Sequence, residues 1–162
     1  MPGERHIRIS IPEQRLWLLE GERCLREWPV STARNGPGEQ RDSGCTPRGR
    51  HVIRAMIGAG QPIGAVFVGR RPTGEICDEA CFARQPERDW ILTRILWLSG
   101  LEPGRNRFGT VDSMRRFIYI HGTPDAFPMG VPLSKGCIRM RNEAVVELFD
   151  RVSPGTLVTI RG

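Results

Sequence analysis

The chain has 162 residues, 39% of them hydrophobic, which suffices for one domain with its own core, and the sequence shows no sign of a second. Its formal net charge is +6, a field that draws anions and argues against a cationic partner without choosing among nucleic acid, acidic lipid and polycarboxylates. Lys135 is the sole lysine, so the basic surface is built from guanidinium groups, whose planar fork suits carboxylate and phosphate.

The opening stretch MPGERHIRISIPEQ is charged and lacks the apolar run of roughly 7 to 15 residues that a signal peptide needs. No later stretch approaches the ~18 apolar residues of a membrane span. The expectation is a cytoplasmic protein with no membrane partner. Cys24, Cys45, Cys77, Cys81 and Cys137 are an odd number in a chain too large to need staples, which predicts free thiols.

Taken in order, the alternation in HIRISI (6–11) and the run QRLWLLE (14–20) predict two strands, and CLREWPVST (24–32) a third, forming an antiparallel meander. The Gly-, Pro- and Asn-rich stretch 33–49 predicts a long loop, and loops of that length in compact domains are often functional. Further strands are predicted at 51–57, 65–69, 90–98 and 116–121, with a short helix over 75–85 ending before Pro86. The pairs Arg70–Arg71 and Arg115–Arg116 read as solvated turns beside strands, with a basic cleft edge as the alternative. Trp90, Trp97, Phe117 and Tyr119 read as core or cleft lining. A helix is predicted after Asn142, taken as its N-cap, because Val145, Leu148, Phe149 and Val152 recur at i, i+3, i+4, i+7. Pro154-Gly155 stops it, and TLVTIR (156–161) closes the chain as a strand. The fold class predicted is a single mainly β domain over 1–162, sandwich- or barrel-like, with one packed C-terminal helix.

The chemistry concentrates in IHGTPDAFPMGVPLSKGCIRM (120–140). Cys137 follows a glycine turn and lies just upstream of the predicted helix, and both features favour an anion. A thiol is mostly protonated at neutral pH unless a base or cation stands beside it, and His121, at a strand end, is the evident base. Such a pair suits acyl transfer through a thioester. Two other readings stay open on spacing alone: Cys137 as a small buried hydrophobe beside a turn histidine, and a zinc site from His51, Cys77, Cys81 and His121.

IHGTP followed by SKGCIRM resembles the signature of the YkuD-type L,D-transpeptidase catalytic domain. EQRLWLLEGERCLREWPVST is similar to that family's opening strands, and GCTPRGRHVIRAMIG to its Thr-Pro turn and following strand. The resemblance implies a cysteine enzyme acting on murein stem peptides at the bond between the L-centre of residue three and D-alanine four. It implies Cys137 as nucleophile, His121 as base, and the Gly122 carbonyl as the group orienting the imidazole. Backbone N–H groups of Gly136 and Cys137 would meet the oxyanion, and Arg139 would hold a substrate carboxylate. Ser134 and Tyr119 complete the substrate-side set.

Two departures qualify the expected activity. Lys135 stands where the family has a second histidine; it supplies a point charge and no neutral-pH proton shuttle. The missing export signal points to the branch described as cytoplasmic L,D-carboxypeptidases, which trim terminal D-alanine from recycled tetrapeptides. That is the expected activity, with transpeptidation as the alternative and an inactive module binding anionic peptide or RNA as a third. The active readings carry no metal, no cofactor and no nucleic acid partner, and the state is monomer or homodimer.

Overall fold

The computed structural model describes residues 4–162, and among these a single mixed sheet dominates. Strands β1 (Arg5–Ser10), β2 (Arg15–Glu20) and β3 (Arg23–Pro29) form the predicted meander, β3 being shorter than the sequence suggests because Pro29 cannot donate to a ladder. β4 (Gly49–Ile57), β5 (Ala65–Val68), β6 (Arg71–Ile76) and β7 (Ile91–Gly100) follow, with helix α1 (Glu79–Arg84) between the last two. The chain ends with β8 (Tyr119–Gly122), β9 (Ile138–Met140), helix α2 (Asn142–Arg151) and β10 (Leu157–Arg161). The sheet runs β3-β2-β1-β10-β4-β7-β5-β6, with β8 on β7 and β9 on β8. The fold is mainly β, as the alternating pattern predicts, and carries two helices.

The main core joins Ile7, Ile9, Leu16 and Leu18 of the meander to Leu96, Leu98, Ile120, Ile138 and Met140, with Val145 and Leu148 of α2 packed over them. Each such side chain, fully buried, contributes about 1.5–3 kcal/mol. Core-facing residues on β8 and β9 alternate with the residues of interest. Ile118 and Ile120 point inward, as do Ile138 and Met140, so Tyr119 and His121 on one strand and Cys137 and Arg139 on the other face away from that core.

Several sequence expectations are corrected. The strand predicted at 116–121 begins only at Tyr119, because Arg116 and Phe117 lie in a turn and Phe117 takes φ +57°. Arg71 lies at the start of β6, an edge strand exposed at every position, which hides it from any pattern of alternation. β9 has no sequence signal, because three residues in a parallel pairing carry too short a pattern.

Asn142 is not the cap of α2. Arg141 holds that position without a side-chain bond, and Asn142 is the first helical residue. Its amide is a strut: Oδ1 accepts from Thr93 Oγ1 at 2.7 Å and Nδ2 donates to the Thr123 carbonyl at 3.1 Å. Thr93 itself sits at φ +77°, where the β7–β8 register shifts, an uncommon conformation for a β-branched residue. Asn142 thus ties helix, bulge and the chain beyond His121 together. Asn142→Ser would serve as well at a cap but cannot span both partners, so it is expected to lower unfolding free energy by about 1–3 kcal/mol in urea titrations. Wild-type stability in that variant would restore the cap assignment.

Candidate active site

Parallel pairing sets Ile120 against Ile138, His121 against Arg139 and Gly122 against Met140. Burial of the two isoleucines in the core therefore puts the Cys137, Tyr119, His121 and Arg139 side chains on one face, where all four line a cavity of about 310 Å³. Gly122 is required here by space: a Cβ would collide with Asn142 Oδ1 and the Leu92 carbonyl.

His121 is buried, and its Nδ1 donates to the Gly122 carbonyl at 2.6 Å. A carbonyl can only accept, so Nδ1 carries the hydrogen and Nε2 keeps its lone pair. Burial pushes the imidazole down to about 4, against the Gly122 carbonyl and Asp89, which favour its charged form. Cys137 is half-buried. Its sulfur accepts from the Tyr119 N–H and donates to the Phe117 carbonyl, each at 3.3 Å. Burial pushes the thiol up to about 12, with the Tyr119 N–H, Arg139 and Arg116 pulling the other way. The resting pair is neutral thiol and neutral imidazole.

The turn before Cys137 differs from its expected use. Ser134 is buried; its Oγ donates to the Cys137 carbonyl at 2.6 Å and accepts the Gly136 N–H at 3.2 Å. Ser134 thus staples the turn, and the Gly136 N–H is engaged, leaving the Cys137 N–H as the donor without a partner among the described residues. Gly136 has φ +136°, and a Cβ there would lie 3.3 Å from the Cys45 carbonyl. Strand β9 separates Cys137 from α2, so the nucleophile candidate owes its setting to the turn and not to a helix start.

The loop 33–49 builds much of the support. Thr46 Oγ1 accepts the Ala33 N–H at 3.0 Å and donates to the Gly136 carbonyl at 2.8 Å. Arg116 is no solvated turn residue: it is half-buried and reaches this loop with four hydrogen bonds. Arg70 also leaves the solvated role, its guanidinium lying 4.9 Å from the Trp97 ring and 5.0 Å from that of Phe117, with Nη1 donating to Tyr119 Oη at 3.2 Å. Neither role has a sequence signal beyond the aromatics nearby.

Arg139 lies 4.6 Å over the Phe127 ring, and Phe127 packs edge-on to Phe82 of α1 at 5.2 Å. No carboxylate pairs with Arg139 within 4.0 Å among the described residues. A second trough of about 330 Å³ adjoins the first, and Asp89, Ser134, Lys135 and Arg139 line both. Arg34 adds a further cation, and Lys135 is exposed at the rim. The zinc quartet is not assembled: buried His51 contacts the Gly49 carbonyl at 3.1 Å and Ser113 Oγ at 2.8 Å instead. No cluster of three or more His, Cys, Asp or Glu groups among the described residues is placed to hold a metal ion.

A mainly β sheet presenting a cysteine and a histidine in one cationic cleft is the arrangement that a thiol nucleophile with a neighbouring base would require. Comparison with known proteins narrows the reading. The family model for the YkuD L,D-transpeptidase catalytic domain matches residues 4–160. The chain is 54% identical over 41 residues to the putative L,D-transpeptidase YkuD of Bacillus subtilis, a match covering 25% of each chain. It is 49% identical over 45 residues to the probable L,D-transpeptidase ErfK/SrfK of Escherichia coli, covering 28% of this chain and 14% of that one. Among solved structures, L,D-transpeptidase 3 from Mycobacterium tuberculosis in complex with a faropenem-derived adduct superposes over 99% of this chain and 61% of its own, with TM-score 0.60 and 15% identity. An L,D-transpeptidase from Mycobacterium smegmatis superposes over 98% of this chain and 59% of its own, with TM-score 0.57 and 17% identity. The chain belongs to the YkuD family of L,D-transpeptidase catalytic domains.

The histidines carry a pH signature. His51, like His121, is held down to about 4 by burial, so both remain neutral when folded and would take a proton near 6.5 when unfolded. The unfolded chain then binds more protons below 6.5, and stability falls as pH falls. Urea unfolding at pH 7 and pH 5 is expected to differ by on the order of 3 kcal/mol, lower at pH 5. A flat profile over that window would contradict neutral burial of the two rings.

Proposed function

We propose that the chain is an L,D-carboxypeptidase, a Cys137-dependent enzyme that removes the terminal D-alanine from murein tetrapeptide stems. The observation that carries this reading is the shared face of β8 and β9, which brings Cys137, His121 and an Arg139 without an ion-pair partner among the described residues into one cavity.

The chemistry follows from the site. His121 Nε2 takes the thiol proton as Sγ attacks the carbonyl between the residue-three L-centre and D-alanine. The new oxyanion is met by the Cys137 N–H. Collapse breaks the C–N bond, the imidazolium returns its proton to the departing amine, and the tripeptide remains as a thioester. Water, deprotonated by His121, then attacks the thioester and restores the thiol. Arg139, with no carboxylate of its own, is shaped to hold the D-alanine carboxylate in two hydrogen bonds. Lys135 adds attraction at the rim.

The setting we propose is the cytoplasm, where stems are recycled; five free thiols suit a reducing compartment. A second reading, transfer to the amine of another stem, draws on Asp89. This carboxylate lines both cavities and suits an incoming ammonium. The two acceptors leave different products. Disaccharide tetrapeptide incubated with and without a D-amino acid is expected to give tripeptide alone, read by mass, with loss of turnover in Cys137→Ala. Exchanged product would favour transfer, and unchanged substrate in both arms would overturn the catalytic reading.

A further inference from the structure

We infer that Arg116 is a positioning residue for Cys137: a guanidinium fixed in the wall of the thiol cavity, whose charge is left unneutralised so that it stabilises the thiolate as it forms. The inference rests on Cys137 being the nucleophile and adds a residue outside the motif that pointed to it.

Arg116 immediately precedes Phe117, the residue whose carbonyl accepts the Cys137 thiol. From the turn before β8 its side chain crosses to the loop 33–49. Nη2 donates to the Cys45 carbonyl at 2.7 Å and to Ser43 Oγ at 3.5 Å; Nη1 donates to the Glu39 carbonyl at 3.2 Å and the Gly38 carbonyl at 3.4 Å. All four acceptors are neutral. They fix the direction of the guanidinium without cancelling its charge. Two acids and the Cys45 thiol also act on Arg116, and none of these side chains is bonded to it; the thiol donates to the Asn35 and Ser43 carbonyls at 3.6 and 3.7 Å. The Glu39 carboxylate is held by Arg48 at 2.9 and 3.0 Å, and Asp42 lies 3.9 Å from Arg41.

A half-buried cation surrounded only by dipoles is an unfavourable arrangement unless a negative charge appears nearby. Arginine stays protonated at any working pH, so the mismatch cannot be relieved by losing the proton. The geometry names where the charge appears. Arg116 lines the same cavity as Cys137, and its Nη2 would lie 4.0 Å from a Cβ at Gly136, the residue before the nucleophile.

The other charged groups of that cavity are held differently. Arg139 lies over Phe127, Arg70 over Trp97 and Phe117, and Lys135 projects at the exposed rim. Asp89 is the acid of the cavity and works against the thiolate. Burial keeps His121 unprotonated and the Tyr119 phenol protonated, so neither carries a resting charge. Arg116 is the cation whose position the backbone of a separate loop dictates.

Alkylation of Cys137 by iodoacetamide, followed against pH by peptide mass spectrometry in the intact protein, tests this without any murein substrate. Exposed Cys24 is the internal control. Arg116→Gln is expected to shift the Cys137 profile to higher pH and to slow its alkylation at pH 8 about tenfold, the equivalent of one pH unit, while Cys24 is unchanged. Arg116→Lys, which keeps the charge and loses most of the loop contacts, is expected to stay within about threefold of wild type. If Arg116 were only a staple for the loop, Lys and Gln would behave alike. Equal profiles in the two variants, or faster Cys137 alkylation in Gln from a loosened loop, would overturn the inference. Failure of tetrapeptide turnover with these profiles intact would count against the proposed substrate and leave the role of Arg116 standing.

Discussion

Everything at the cleft depends on the parallel pairing of two very short strands. β9 has three residues and β8 four, yet their register is pinned because Ile120, Ile138 and Met140 must all reach the same core. A slip of one residue would turn Ile138 outward and Cys137 and Arg139 inward, exchanging buried hydrocarbon for a buried guanidinium. The hydrophobic effect thus sets the placement of the polar groups. Asn142, Thr46 and Ser134 then fix the chain at either side of the ladder, the first beyond His121 and the other two at the turn before Cys137.

Electrostatics within this frame favours neutrality at rest. Burial lowers the imidazole and raises the thiol, so both groups are neutral at rest. The surrounding cations are mostly prevented from collapsing onto acids: Arg139 and Arg70 stack on rings, and Arg116 binds carbonyls. A site arranged this way offers its field to a thiolate, an oxyanion or a substrate carboxylate, where a prefolded ion pair would offer none. The scarcity of lysine matters here, since an ammonium neither stacks flat on an aromatic ring nor forks across two carbonyls.

Much of this was readable in the chain. The meander, β4, β5, β7 and β10 announce themselves by apolar runs and alternation bounded by Gly and Pro, and α2 by its apolar stripe. His121 and Cys137 stand out through IHGTP and SKGCIRM. What escaped is what tertiary contact decides. β6 is exposed along its length and owes its existence to pairing with β5. Asn142 sits where a cap belongs, and only the approach of Thr93 and Thr123 makes it a strut. Ser134 reads as a substrate-side residue and does line both cavities, but its bonds back to its own turn carry no local signal, and Arg116 reads as a solvated charge because its partners are carbonyls of residues 38–45, invisible to any local pattern.

The central claim is that Cys137 becomes acylated by a murein stem while the other four thiols do not. The direct measurement is to mix the wild-type protein with excess tetrapeptide, quench in acid within the first turnovers, and map the adduct by peptide mass spectrometry. The account predicts a tripeptidyl mass on the Cys137 peptide alone, labile to hydroxylamine as a thioester is. Product release with no adduct on Cys137, or an adduct that falls on another cysteine, would contradict it.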